Sequence, residues 1–162
     1  MSFDLPASSM PKQLNSRQHV IYLSGVSLPA GLSMLKQLHT SGITPASIQV
    51  LSHATQDQRI ERIDARSIRI TSPHGWLHLP VEQMFRSRGM PFEKGSQIRM
   101  PRFLVTIEAL TQDLRPKSVR FEFNETLEHP DYRWMCFKPM SLTECKLPKV
   151  GASMRLEGMV SW

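Results

Sequence analysis

Along most of this chain apolar residues come in short alternating runs, and one longer stripe stands near the start. His19 to Ser24 is a compact apolar segment stopped by Gly25, which predicts a strand. Ser27 then caps a predicted helix in which Leu28, Leu32, Leu35 and Leu38 share one stripe. Pro29 falls in its tolerant early turn, and Gly42 ends it. Thr44-Pro45 turns the chain into a second apolar strand, Ile48 to Leu51. The result is a β-α-β unit, whose right-handed crossover would leave its two strands parallel.

From Gln58 the period changes to two. Arg59 to Ile63 and Ser67 to Thr71 predict a hairpin about Asp64-Ala65-Arg66, with Ile68 and Ile70 facing inward. After the breaker Pro73-His74-Gly75, Trp76 to Leu79 reads as another short strand, stopped by Pro80. Val81 to Ser87 makes two helical turns carrying Met84 and Phe85, ended by Gly89 and Pro91. Phe103 to Leu110 alternates on Phe103, Val105 and Ile107, and Asp113 to Lys117 is a turn. Val119, Phe121 and Phe123 alternate with Arg120, Glu122 and Asn124, the clearest half-buried strand in the chain. Arg133 to Phe137 and Ser153 to Val160 supply two more strands, with loops marked by Pro139, Pro148 and Gly151.

Twelve prolines spread among these runs suit a sandwich or open barrel better than a helical fold. The expected class is therefore α+β: a short N-terminal β-α-β unit followed by a mainly antiparallel β sandwich or open barrel. Residues 1–18, rich in Ser, Pro, Asn and Gln, form a flexible arm. Residues 19–162 form a single domain, with its β-α-β part over 19–57 and its antiparallel part over 58–162.

Composition narrows the class further. With 40% hydrophobic and 21% charged residues, neither a disordered acidic tail nor a fibrous protein fits. No apolar run approaches the roughly 20 residues of a membrane-crossing helix. Asp4, Pro6 and a run of serines interrupt any leader pattern, and there are only two cysteines. Together these place the protein in a reducing cytoplasm. Cys136 and Cys145 fit neither a zinc knuckle nor a Cys-x-x-Cys site. Cys136, following Trp134 and Met135, reads as a small buried apolar residue. Folding is expected to be indifferent to chelators and to reductants.

The charge is uneven. Residues 57–120 hold twelve bases, ten of them arginine, against seven acids, a net of +5 within a whole-chain +6. Arg86, Arg88, Lys94, Arg99 and Arg102 accompany Phe85, Phe92 and Phe103, a mixture that single-stranded nucleic acid or an anionic membrane surface would use. The plainer alternative is core phenylalanines with solvated arginines, and no RNP, KH, zinc-finger or helix-turn-helix pattern favours the sharper one.

Other candidate chemistry is thinner. His74 and His78 on one strand would stand about 13 Å apart, too far to share a zinc. Ser24 to Gly31 lies between strand and helix, where phosphates bind, but lacks the Lys-Ser/Thr of a P-loop and the glycine spacing of a dinucleotide site. Glu122, Glu125, Glu128 and Asp131 could pair around a loop for acid–base work, although exposed loop acids are far commoner than catalytic ones. No Gly-x-Ser-x-Gly is present. No metal, no cofactor and no catalytic residue is assigned. The leading expectation is a non-catalytic binding or assembly module, an accessory subunit with a protein partner. Polyanion binding through the arginines of 86–102 stands second, and an enzyme using the loop acids third.

Overall fold

In the computed structural model, residues 16–24, 45–52, 57–76, 93–138 and 141–157 are described. They hold ten strands: β1 (His19–Ser24), β2 (Ser47–Val50), β3 (Gln58–Arg62), β4 (Ser67–Thr71), β5 (Gln97–Arg99), β6 (Phe103–Leu110), β7 (Pro116–Phe123), β8 (Tyr132–Lys138), β9 (Ser141–Glu144) and β10 (Ser153–Leu156). Four form a sheet in the order β2-β1-β8-β9, and six form a sheet in the order β10-β3-β4-β7-β6-β5. By compactness the chain divides into one unit of residues 1–56, 128–147 and 156–162, and another of residues 57–127 and 148–155.

The first unit is built on β1, which pairs in parallel with β2 on one side and with β8 on the other. Val20, Ile21, Tyr22 and Leu23 are all buried, so both faces of this strand are covered. A continuous apolar run, without alternation, is what such a strand requires. Trp134, Met135 and Cys136 of β8 are buried as well. Strand β9 folds back antiparallel on β8, and the Cys145 amide donates to the Trp134 carbonyl at 2.8 Å.

The second unit is antiparallel among β3, β4, β7, β6 and β5. Ile60, Ile68, Ile70, Ile107, Val119, Phe121 and Phe123 are buried, the alternate positions of their strands. Phe103 packs its ring against Phe121 and Phe123 at centroid distances of 5.9 and 5.0 Å. The β3–β4 hairpin turns where expected. Buried Arg62 donates from Nε and Nη2 to the Asp64 and Ala65 carbonyls at 3.1 and 3.2 Å, which satisfies a guanidinium that would otherwise be costly to bury.

Several expectations are corrected. The α+β class does not stand: the described residues contain no helix and are mostly strands in two sheets. The helix expected between Ser27 and Gly42 lies outside the described residues, as do the helical turns of Val81 to Ser87 and residues 1–15 of the arm. Of the strand expected over Trp76 to Leu79 only Trp76 is described; it lies in a bend, its amide donating to the Pro116 carbonyl at 2.7 Å, and Leu77 to Leu79 lie outside the described residues. Cys136 is buried, as expected, but it is joined to Cys145 in a disulfide with Cα atoms 5.3 Å apart. The antiparallel return of β9 brings the two together, and residue counting along the chain does not reveal that return. Strands β5 and β9 went unread because neither carries a periodic apolar pattern.

Candidate binding face

The six-stranded sheet presents a polar face opposite its core. Cross-strand register sets Glu61 beside Arg69, Arg69 beside Arg120, Arg120 beside Thr106, and Thr106 beside Gln97. A second row runs Ser67, Glu122, Leu104 and Arg99, and a third pairs Arg59 with Thr71 and Thr71 with Ser118. Alternation requires this outcome once Ile68, Ile70, Val119 and Phe121 are committed to the core.

Two like charges directly opposite each other, Arg69 and Arg120, would be unfavourable alone. Glu108 resolves the conflict. It accepts a hydrogen bond from Arg69 Nε and stands 3.5 Å from Arg120 Nε. The register between β6 and β7 shifts at this point, since Ile107 pairs with Val119 and Ala109 with Ser118, leaving Glu108 as the extra residue of a bulge. On the other side Arg69 Nη1 meets Glu61 at 3.1 Å, and Arg59 meets the same carboxylate at 3.2 Å. Glu108 first, and Glu61 after it, hold the Arg69 guanidinium charged more firmly than usual. Arg120 is thus half-buried in an ion network, where alternation alone predicted a strand face open to water.

Of the basic residues singled out from sequence, Arg86 and Arg88 lie outside the described residues. Lys94, Arg99 and Arg102 belong to one hairpin: Lys94 in the turn before β5, Arg99 on β5, and Arg102 in the turn into β6. Lys94 and Arg99 are exposed, and Arg99 shares the polar face with Arg59, Arg69 and Arg120. Phe103 belongs to the core, and Phe85 and Phe92 lie outside the described residues. Among the loop acids, Glu122 stands 4.0 Å from Arg66, and Glu125 is exposed. Glu128 and Asp131 belong to the other compact unit, so the four do not form one cluster within a unit. His74 is exposed in a turn, and His78 lies outside the described residues. Among the described residues no three His, Cys, Asp or Glu could hold a metal ion.

Two further groupings went unseen in the sequence. At the starts of β1, β2 and β8, His19 Nδ1 hydrogen-bonds Ser47 Oγ at 2.8 Å, and the His19 and His129 rings lie 6.1 and 5.6 Å from that of Tyr132. His19, Ser47 and Tyr132 are too distant along the chain for spacing to connect them. A cavity of about 280 Å³ opens between β3 and β10, lined by Asp57, Arg59, Pro73, Met154 and Arg155. Both of its arginines are already paired, Arg155 with Asp57 and Arg59 with Glu61.

Comparison with protein-family models, curated proteins and solved structures finds no match to this chain.

Proposed function

We propose that this chain is a non-catalytic binding module, an accessory subunit that meets a protein partner through the polar face of its six-stranded sheet. The observation that supports this most is the ion pairing of Arg59, Arg69 and Arg120 with Glu61 and Glu108, which leaves the five groups with a net charge of only one. Polyanions draw their affinity from cations that release counterions on contact, and an arginine held by a carboxylate has little to release. Alternating charge along Glu61, Arg69 and Arg120 suits the register-specific complementarity of a protein surface instead.

A second reading is polyanion binding through Lys94, Arg99 and Arg102, with Arg86 and Arg88. It is supported by the exposure of Lys94 and Arg99, which make no ion pair among the described residues. Titration of the full chain against labelled single-stranded oligonucleotide and anionic vesicles, at about 50 and 150 mM salt, separates the two. The protein-binding reading expects no polyanion binding at the lower salt. It also expects a cross-linked partner whose yield falls about tenfold in Arg120→Ala with the fold intact. Tight, salt-sensitive polyanion binding overturns it.

No helix among the described residues is long and apolar enough to cross a membrane. The Cys136–Cys145 disulfide favours an oxidising compartment over the cytoplasm inferred from cysteine number, because cytosolic thiols keep such pairs reduced.

A further inference from the structure

Strand β5 ends the six-stranded sheet among the described residues, and Gln97, Ile98 and Arg99 are all exposed. The direction of its backbone groups follows from its bonds to β6. The Ile107 amide donates to the Ser96 carbonyl at 3.0 Å, and the Met100 amide to the Phe103 carbonyl at 2.9 Å. Hydrogen-bonded and non-hydrogen-bonded pairs alternate in an antiparallel ladder, so Ile98 bonds inward to Val105. The amides and carbonyls of Gln97 and Arg99 therefore point away from β6 and, among the described residues, offer a template for one more strand.

The side chains say what that strand must carry. Arg99 and Lys94 are exposed cations without an ion pair among the described residues, unlike the matched arginines further into the sheet. Ile98 is 49% exposed on the opposite face, beside Val105. A second copy of the chain would bring its own Arg99 and Lys94 to the same edge, and like charges across a new ladder oppose pairing. Opposite charge favours it.

We propose that β5 takes up an acidic, extended segment of a partner protein as an added strand. The segment's carboxylates lie beside Arg99 and Lys94, and an apolar residue of the segment lies beside Ile98. Main-chain bonds then supply affinity, and the alternation of acidic and apolar side chains supplies selectivity. This deepens the protein-binding reading and rests on it.

The test uses the full chain and a capped peptide of alternating Glu and Val, with two controls: the same peptide N-methylated at alternate amides, and a version with Lys in place of Glu. Saturable binding is expected for the parent peptide, with at least a tenfold loss on N-methylation and none detectable for the Lys version. Gln97→Pro removes one outward amide at an edge position that tolerates proline, so it should cost tenfold or more in affinity with an unchanged melting curve. Arg99→Glu should exchange the preference, favouring the Lys peptide.

Absence of parent-peptide binding up to about 1 mM overturns the inference. So does equal binding of the N-methylated peptide, which would mean charge attraction without strand pairing. A dimer of the chain that Gln97→Pro dissolves assigns the edge to a second copy, and overturns it too. The two proposals fail differently: a partner lost in Arg120→Ala but indifferent to Gln97→Pro sinks only this one, whereas tight oligonucleotide binding sinks the protein-binding reading beneath it.

Discussion

The two sheets of this protein spend their side chains in opposite ways. In the four-stranded sheet, β1 is parallel to both neighbours and buries four consecutive apolar residues, Val20 to Leu23. In the six-stranded sheet, β4 and β7 bury Ile68, Ile70, Val119, Phe121 and Phe123 at alternate positions and leave Arg69, Arg120 and Glu122 half-exposed on the other face. A strand covered on both faces has no side chain left for recognition. A strand covered on one face has half of them, which is why the candidate binding chemistry gathers on the six-stranded sheet. The contrast also separates two ways of stabilising a sheet: the first adds a covalent clip between Cys136 and Cys145, and the second an ion network fed by a bulge.

The sharpest way to break that comparison is at Phe121, the buried centre of β7. Phe121→Ala should cost about 3–5 kcal/mol in urea unfolding, as a large-to-small core change does. A loss under about 1 kcal/mol would mean that the alternation does not build the core. The covalent clip comes next. It closes a loop of sequence separation 9, so reduction should lower stability by about 2–3 kcal/mol, contrary to the indifference expected from sequence. Unfolding curves that coincide with and without dithiothreitol would remove the clip from the account.

A smaller effect lies at Gly75, where φ is +78° and an added Cβ would stand 2.5 Å from Thr111 Cγ2 and 3.0 Å from the Pro116 carbonyl oxygen. Gly75→Ala should therefore destabilise by about 1–2 kcal/mol through the left-handed backbone alone, with the steric contact adding to it. A neutral Gly75→Ala variant would show that this turn is free to rearrange.

The two regions should also answer pH at opposite ends. Burial pushes the Tyr22 phenol of β1 from its ordinary 10.0 up to about 12. The folded state then holds the proton more tightly, so stability is complete below the ordinary value and falls as pH rises through about 12. In the six-stranded sheet's hairpin, hydrogen bonds from Arg115 first and Thr111 next hold Asp113 down at about 2. That contribution is present above the ordinary carboxylate value and is lost as pH falls through about 2. Asp113 is fully exposed, so the acid effect should be the smaller. Tyr22→Phe flattening the alkaline limb, and Asp113→Asn the acid one, are the outcomes that check both assignments.

How much of this was legible in the sequence follows from the range of each interaction. The β3–β4 hairpin and the alternation of β6 and β7 depend on neighbours a few residues apart, so period-two patterning revealed them, with Phe121 and Ile68 on the inner face. The continuous run of β1 was readable as a strand for the same reason. Its partner β8 was not, because Tyr22 meets Met135 across more than a hundred residues and parallel pairing leaves no local turn to announce it. The exposed β5 has no apolar period, and the sequence treated its arginine as one member of a basic stretch.

Residue order by itself therefore determined where the strands with an apolar pattern form and which face of the antiparallel ones is apolar, since both follow from local backbone geometry and alternation. Only the tertiary structure decided which distant strands pair, and with it that Glu108 stands between Arg69 and Arg120, that Cys136 meets Cys145, and that β5 is the edge strand among the described residues. Those outcomes depend on contacts between segments far apart in the chain, where local pattern carries no information about register.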